Sequence, residues 1–175
     1  QNKTLVMLAN SGCLRYCPGQ TFHDNMVAHD QEIDETANIP GWTPHVCWNL
    51  YRQRENWPAL LQSTWIRPED VARYEGLVDI VKLATRMHAN PRLVIHAYAS
   101  GRYRGNLLDL FEPGFGPALA PHVIDSTALP ADWFEQTSTC DGDCMSCRYC
   151  AEALAGALVN TEPPEGDAED DGTDA

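Results

Sequence analysis

Four closely spaced cysteines near the C-terminal end constrain this chain more than any other feature of its sequence. Cys140, Cys144, Cys147 and Cys150, here called the terminal quartet, lie within eleven residues in the order Cys-x₃-Cys-x₂-Cys-x₂-Cys. A hydrophobic core does not require thiols at that density, and the spacing is too tight for mutually unstrained disulfides. The segment therefore predicts a metal centre with thiolate ligands.

A second group of cysteines lies in the N-terminal third of the chain. Cys13 and Cys17 follow an apolar run within Asn-Ser-Gly-Cys-Leu-Arg-Tyr-Cys-Pro, and Cys47 stands alone; the three are here called the N-terminal trio. Ligands of a cubane cluster can come partly from one loop and partly from a distant segment. We expect a [4Fe-4S] cluster bound by the trio and one cysteine of the quartet. A local cluster on the quartet is an alternative that the sequence leaves open.

Two other metal chemistries fit these cysteines. Four thiolates can bind zinc tetrahedrally, so a zinc-stabilised protein-interaction module without catalysis is the main alternative to an iron-sulfur protein. The first three cysteines of the quartet also have the spacing of radical S-adenosylmethionine enzymes. In those enzymes, however, the motif follows an early barrel strand, whereas here it follows the last predicted strand. An iron-sulfur centre of another kind is therefore favoured.

Length and charge limit the domain organisation and the partners. The chain has 175 residues and a net charge of -13, and residues 161–175 contain seven acidic side chains and no basic one. We expect one domain over residues 1–160, with a Cys-rich segment at about 138–160, followed by a disordered acidic tail. The sequence has no lysine-rich stripe that would indicate binding to duplex DNA, and it has no apolar run long enough to indicate a membrane span. The density of free thiols predicts a reducing, cytoplasmic location.

The order of predicted elements indicates an α/β fold. Residues 5–9 and 78–84 are apolar runs typical of buried parallel strands, and Pro68 begins a helix before the second run. Asn90 caps a further helix that begins at Pro91 and ends at Gly101. The countable strands are too few for a closed eight-stranded barrel. We therefore expect a partial (β/α) TIM-barrel-like fold, completed by a partner chain or by a missing N-terminal half.

Four polar residues near the predicted strand ends are candidate catalytic groups. His23 follows the first cysteine pair and precedes an aspartate that could tune its imidazole for proton transfer. Arg67 and Arg86 lie beside strand ends, where a guanidinium could bind a carboxylate or phosphate. Lys82, inside a predicted buried strand, requires a partner and could face the barrel lumen. Structural roles, including salt bridges within the chain, remain open for all four.

This set of motifs resembles the collagenase-like peptidase family U-thirty-two. The resemblance rests on Asn-x-x-Cys-x₃-Cys-Pro at 10–18 with a histidine soon after, on Trp-Ile-Arg-Pro-Glu-Asp at 65–70, and on Lys-Leu-Ala-x-Arg at 82–86. It implies an α/β barrel, of which this chain matches a C-terminal half. Better-understood relatives look like iron-sulfur enzymes that hydroxylate RNA bases or a quinone precursor without molecular oxygen.

The resemblance therefore implies an iron-sulfur site before it implies proteolysis. The implied substrate is RNA, a small aromatic precursor or a peptide. A metal-independent hydrolase is the least favoured function, because the sequence contains neither Gly-x-Ser-x-Gly nor His-Glu-x-x-His.

Overall fold

The computed structural model describes residues 3–15, 17, 19–30, 46–86 and 88–162. Its strands are β1 (Val6–Leu8), β2 (Ile80–Lys82), β3 (His122–Ile124) and β4 (Leu158–Asn160). Its α-helices are α1 (Gln20–Asp30), α2 (Val46–Tyr51), α3 (Pro58–Leu61), α4 (Pro91–Ser100), α5 (Gly116–Leu119), α6 (Trp133–Ser138) and α7 (Tyr149–Ala157). Short 3₁₀-helices span Arg54–Asn56, Pro68–Tyr74, Leu107–Leu110 and Ser126–Ala128. The predicted acidic tail lies outside the described residues from position 163 onward.

Two small sheets replace the predicted partial barrel within the described ranges. β1 pairs with β2 in parallel, with Met7 opposite Val81, and β3 pairs with β4 antiparallel. The parallel pair agrees with the α/β prediction, and the fold is mixed α/β. The TIM-barrel prediction is not confirmed, since each of these sheets has two strands of three residues and neither closes.

The parallel sheet is more exposed than the sequence predicts. Val6 and Ile80, which are partners in the register, are each 50% exposed, and Lys82 is exposed as well. On the other face, Val81 packs against the hydrophobic core. The expectation that Lys82 lies inside a buried strand is therefore wrong for this structure, because its side chain is on the open face.

Asn10 connects the ends of the two parallel strands. Its side chain is fully buried, and its Nδ2 donates to the carbonyl oxygens of Ala84, at 2.7 Å, and Leu110, at 3.0 Å. Its Oδ1 accepts from the backbone N–H of Ala84 at 2.7 Å. Because a buried amide side chain must satisfy its polar atoms, these bonds hold the loops after β1 and β2 in place. The loop after β1 carries Cys13.

Helix α4 has the boundaries that the sequence predicts. The Asn90 side chain accepts a hydrogen bond from the N–H of Leu93, and Gly101 ends the helix with φ = +63°. The hydroxyl of Tyr98, on the buried side of α4, lies 2.8 Å from the carbonyl oxygen of Ile66 and 3.1 Å from that of Ala9. The helix therefore packs against the segment that leaves β1.

Aromatic residues join the C-terminal helices to the rest of the core. Trp65 and Trp133 stack with ring centroids 5.4 Å apart, and Trp133 stacks on Tyr149 at 5.9 Å. Trp65 and Trp133 are buried, and Trp65 also contacts Phe111. This stack ties α6 and α7 to the segment beside β1 and so fixes where the Cys-rich loop between the two helices lies. No helix in the described ranges has the length and apolarity to cross a membrane.

Candidate functional site

The N-terminal trio comes together from two parts of the chain. Cys13 follows β1, Cys17 precedes α1, and Cys47 lies in the first turn of α2. All three thiols are free and partly buried. Burial raises the pKa of Cys47, and the charges of Cys13 and Cys17 raise it further. Burial likewise raises the pKa of Cys13, with further contributions from Cys17 and Asp24. The three thiols therefore lie within electrostatic reach of one another.

The side chain of Tyr51 lies near the three thiols of the N-terminal trio. Its ring is fully buried and packs against Phe115 at 4.7 Å, one turn of α2 beyond Cys47. Burial raises the pKa of its hydroxyl, and charges on all three thiols of the trio raise it further. Within the described ranges this hydroxyl has no hydrogen-bond partner. A buried O–H without a partner is costly, so an acceptor beside the trio would satisfy it.

The terminal quartet is built by local turns. Gly142 has φ = +82°, and its N–H points to the Sγ of Cys140 at 3.4 Å. The N–H of Cys144 donates to the carbonyl oxygen of Gly142 at 2.9 Å, and that of Cys147 donates to Asp143 at 3.1 Å. Cys150 then lies in the first turn of α7. Two consecutive turns and a helix start thus place four thiols on one short segment.

The thiols of the quartet also affect one another. Burial raises the pKa of Cys150 to about 11, and the charges of Cys144, Cys140 and Cys147 contribute to this increase. Burial raises the pKa of Cys144 too, and Cys140 and Cys147 add to it, whereas Arg15 lowers it. Thiolates at Cys140 and Cys147 therefore oppose ionisation of Cys144 and Cys150. A bound metal would remove that conflict, because metal ligation stabilises the thiolate form.

The side chains of neither cysteine group, the trio or the quartet, converge on a single point. In the described part of the chain, no three or more His, Cys, Asp or Glu side chains are arranged to hold a metal ion. The charges acting on Cys13 and Cys47 come from the trio and Asp24, whereas the thiolate charges acting on Cys144 and Cys150 come from the quartet. The ligand set that combines the trio with one quartet cysteine stays a prediction.

A cavity of about 490 Å³ separates the quartet from the loop that follows Cys13. Leu8, Leu14 and Arg15 contribute to the wall on the β1 side, and Trp65 and Trp133 add aromatic side chains to it. The other lining residues are Leu61, Gln62, Ser63, Thr64, Ile66, Tyr74, Thr137, Ser138, Cys140, Gly142, Cys144 and Cys150. The cavity is therefore largely apolar, with hydroxyl groups, one cation and three thiols at its walls.

The four predicted catalytic residues lie elsewhere in the described structure. Arg67 forms a two-pronged salt bridge with Asp70, at 2.7 and 3.0 Å, and its half-buried guanidinium also lies 3.5 Å from the carbonyl oxygen of Pro130. Burial lowers the pKa of Arg67, but the hydrogen bond and charge of Asp70 outweigh it and raise the pKa. Lys82 and Arg86 are exposed, and His23 is half-buried in α1. None of the four lines the cavity.

Sequence reasoning missed three residues that the structure places beside the thiols. Arg15 acts on Cys144 although 129 positions separate them, and Trp133 lines the cavity. Tyr51 faces the charges of the trio. The position of Arg15 between Cys13 and Cys17 was an available signal, because a cation within a cysteine motif is placed to act on thiolates. The roles of Trp133 and Tyr51 depend on tertiary packing.

Comparison with known proteins gives one informative similarity. An uncharacterized protease of Methanocaldococcus jannaschii is 33% identical to this chain over 161 residues, which cover 88% of the chain and 46% of that protein. The chain thus spans about half the length of this relative. No protein-family profile matches the chain, and no solved structure is significantly similar to it.

Proposed function

We propose that this chain is an iron-sulfur protein of the type found in the collagenase-like peptidase family U-thirty-two, with a [4Fe-4S] cluster at the N-terminal trio. The observation that carries the proposal is that Cys13, Cys17 and Cys47 lie within electrostatic reach of one another and of the buried hydroxyl of Tyr51. Similarity to a protein named as a protease agrees with the family. The motifs at 10–18, 65–70 and 82–86 add to that agreement.

The residues of the trio fit an iron-sulfur cluster chemically. Thiolates are the usual protein ligands of such clusters, and a ligand set commonly combines a short loop with a distant cysteine. Cys13 and Cys17 supply the loop, and Cys47 supplies the distant ligand. The O–H of Tyr51 can donate to a sulfur of the trio, and hydrogen bonds to sulfur help to set the reduction potential. A cysteine of the quartet or a non-protein ligand would complete the coordination.

A bound cluster would supply one-electron chemistry or an open iron position, whereas the chain supplies the binding surface. The cavity has apolar aromatic walls with a few polar groups, which is typical of a small-molecule or nucleobase site. Trp65 and Trp133 contribute apolar aromatic surface to the wall, and Arg15 can bind an anionic group. We therefore favour an oxygen-independent hydroxylase type of enzyme acting on RNA, a small aromatic precursor or a peptide over a protease.

Metal analysis of the anaerobically purified chain tests this proposal. We expect a brown protein that absorbs at about 400 nm and contains at least about four irons with matching acid-labile sulfide. The Cys13→Ser and Cys47→Ser variants should each lose about four irons, whereas Phe22→Ser, a change at an exposed position of α1, should lose none. A colourless chain with zinc and no iron would contradict the proposal and favour the zinc-stabilised interaction module.

A further inference from the structure

We propose that the open face of the β1–β2 sheet binds a polypeptide that corresponds to the part of the Methanocaldococcus jannaschii relative that this chain does not match. The open face consists of Val6, Leu8, Ile80 and Lys82, which alternate along the strands with Val81 and the other core-facing positions. The proposal concerns an interaction surface and does not depend on a bound cluster.

Large apolar side chains are concentrated on and beside this sheet. Val6 and Ile80 are each 50% exposed and Leu8 is 39% exposed, although all three belong to β-strands. Leu5 and Leu77, which flank the strands, are exposed as well. These five are the majority of the nine large apolar side chains that are exposed in the described ranges. Exposed apolar side chains grouped in this way mark an interaction site, whereas scattered ones do not.

The parallel pairing of the two strands leads to the same conclusion. Parallel sheets occur almost only with both faces covered, and a sheet of two short strands is too small to be stable on its own. β1 and β2 are parallel, each has three residues, and the core covers the face that carries Val81. The face with Val6 and Ile80 therefore lacks the cover that a parallel sheet requires.

The sheet also has free edges at which a further strand can pair. In the described part of the chain it contains two strands, so β1 and β2 each have one side without a neighbouring strand. A cavity of about 270 Å³ lies beside β2 and is lined mainly by small apolar residues, among them Val71, Ala72, Val78 and Val81. A polypeptide that adds a strand gains main-chain hydrogen bonds, and this cavity can accept its apolar side chains.

The length of the relative points to the occupant. More than half of that protein lies outside the match, because the 161 matched residues make up 46% of its length. That part is long enough to supply further strands and helices. A second copy of this chain suits the face less well. Two-fold symmetry would pair identical edges antiparallel, whereas β1 and β2 are parallel.

Lys82 determines a charge that the bound polypeptide must carry. It is exposed on the open face, in register with Leu8, and forms no ion pair within the described ranges. When the face is covered, the ammonium loses water, and that cost is offset only if a carboxylate lies opposite. The bound polypeptide should therefore carry an Asp or Glu next to its apolar contact residues. Leu8 also lines the cavity of the candidate site, so the same polypeptide would border that cavity.

Co-expression of the two polypeptides tests the proposal. The unmatched part of the relative carries the affinity tag, and this chain should co-purify with it and sediment as a complex of one copy of each. Ile80→Lys should weaken the complex at least about 30-fold, because a charge then lies in the apolar contact. The control Ile95→Lys changes the same residue type at similar exposure, 52% against 50%, on α4. It should change the affinity by less than about twofold.

A single-chain version provides a second measurement in case the unmatched part does not fold alone. In this version the present chain replaces the 161 matched residues of the relative. Hydrogen exchange at residues 5–8 and 79–82 is compared with exchange in the isolated chain. Covering the sheet should slow exchange at these residues by at least about tenfold.

Three results would overturn the proposal. Unchanged exchange at residues 5–8 and 79–82 in the single-chain version would show that the face stays open. Equal affinities of Ile80→Lys and Ile95→Lys would place the contact elsewhere on the chain. An isolated chain that forms a dimer, which Ile80→Lys dissociates, would make a second copy the occupant. None of these measurements depends on iron, so they leave the proposed function to its own test.

Discussion

The two groups of cysteines are assembled by opposite routes. The quartet is assembled within eleven residues by local turns, whereas the trio requires α2 to pack beside the loop after β1. Local turns depend mainly on neighbouring residues, although Cys150 also packs against the core, whereas the trio exists only where tertiary packing holds it. The trio should therefore be more sensitive than the quartet to changes in the core, and this difference can be measured.

The largest expected effect comes from removing Asn10. Asn10→Ala deletes three hydrogen bonds, leaves the N–H of Ala84 without its side-chain acceptor, and should lower the free energy of unfolding by about 3 kcal/mol. Because the loop with Cys13 is anchored by this residue, the iron bound at the trio should fall together with the stability. Urea unfolding and iron analysis measure both effects, with exposed Asn49→Ala as control. Unchanged iron content at lowered stability would show that the position of Cys13 does not depend on Asn10.

A smaller effect is expected when the salt bridge of Arg67 is broken. Asp70→Asn leaves a half-buried guanidinium without its carboxylate and should lower the free energy of unfolding by about 2 kcal/mol. Neither residue lines the cavity, so the iron content should not change. Thermal unfolding and iron analysis test this expectation. Loss of iron at unchanged stability would instead show that Arg67 supports the site, as its position beside a strand end suggested.

Tyr51→Phe should have a small effect on the stability of the metal-free chain and on the reduction potential of the cluster at the trio. In the chain stripped of metal, the variant removes a buried hydroxyl without a described partner and should be equally stable or more stable by about 1 kcal/mol. With the cluster bound, loss of a hydrogen bond to sulfur should lower the reduction potential of the trio centre. Chemical denaturation and a redox titration measure these two effects. An unchanged potential would place the hydroxyl away from the cluster.

The smallest effect concerns the ionisation of the quartet. In the metal-free chain the pKa of Cys150 is raised to about 11, mainly by burial, so its thiol is protonated at neutral pH. Its alkylation by iodoacetamide should therefore increase with pH up to about 11. Because the folded state holds this proton more tightly than the unfolded state, the stability of the metal-free chain should fall as the pH rises from about 9 toward 11. Mass spectrometry of peptides follows the alkylation of Cys150. An alkylation rate that is already maximal at pH 8 would contradict the raised pKa.

The sequence predicted the structural features that depend on residues close to one another in the chain. Asn90 and Gly101 marked the ends of α4, and the apolar runs marked the two strands that pair in parallel. It did not predict the pairing of β3 with β4, because their three-residue strands carry too little pattern and the second follows α7 without a break. The cavity also could not be predicted, since it forms between Leu8, Trp133 and Cys150, which are far apart in the chain.

Native mass spectrometry of the anaerobically purified chain tests the central claim most directly, because it reports what the seven free thiols hold. The account predicts the mass of the polypeptide plus a [4Fe-4S] cluster, and loss of that cluster after replacement of Cys13 and Cys47 by serine. The mass of the bare polypeptide, or of the polypeptide with zinc alone, would contradict it.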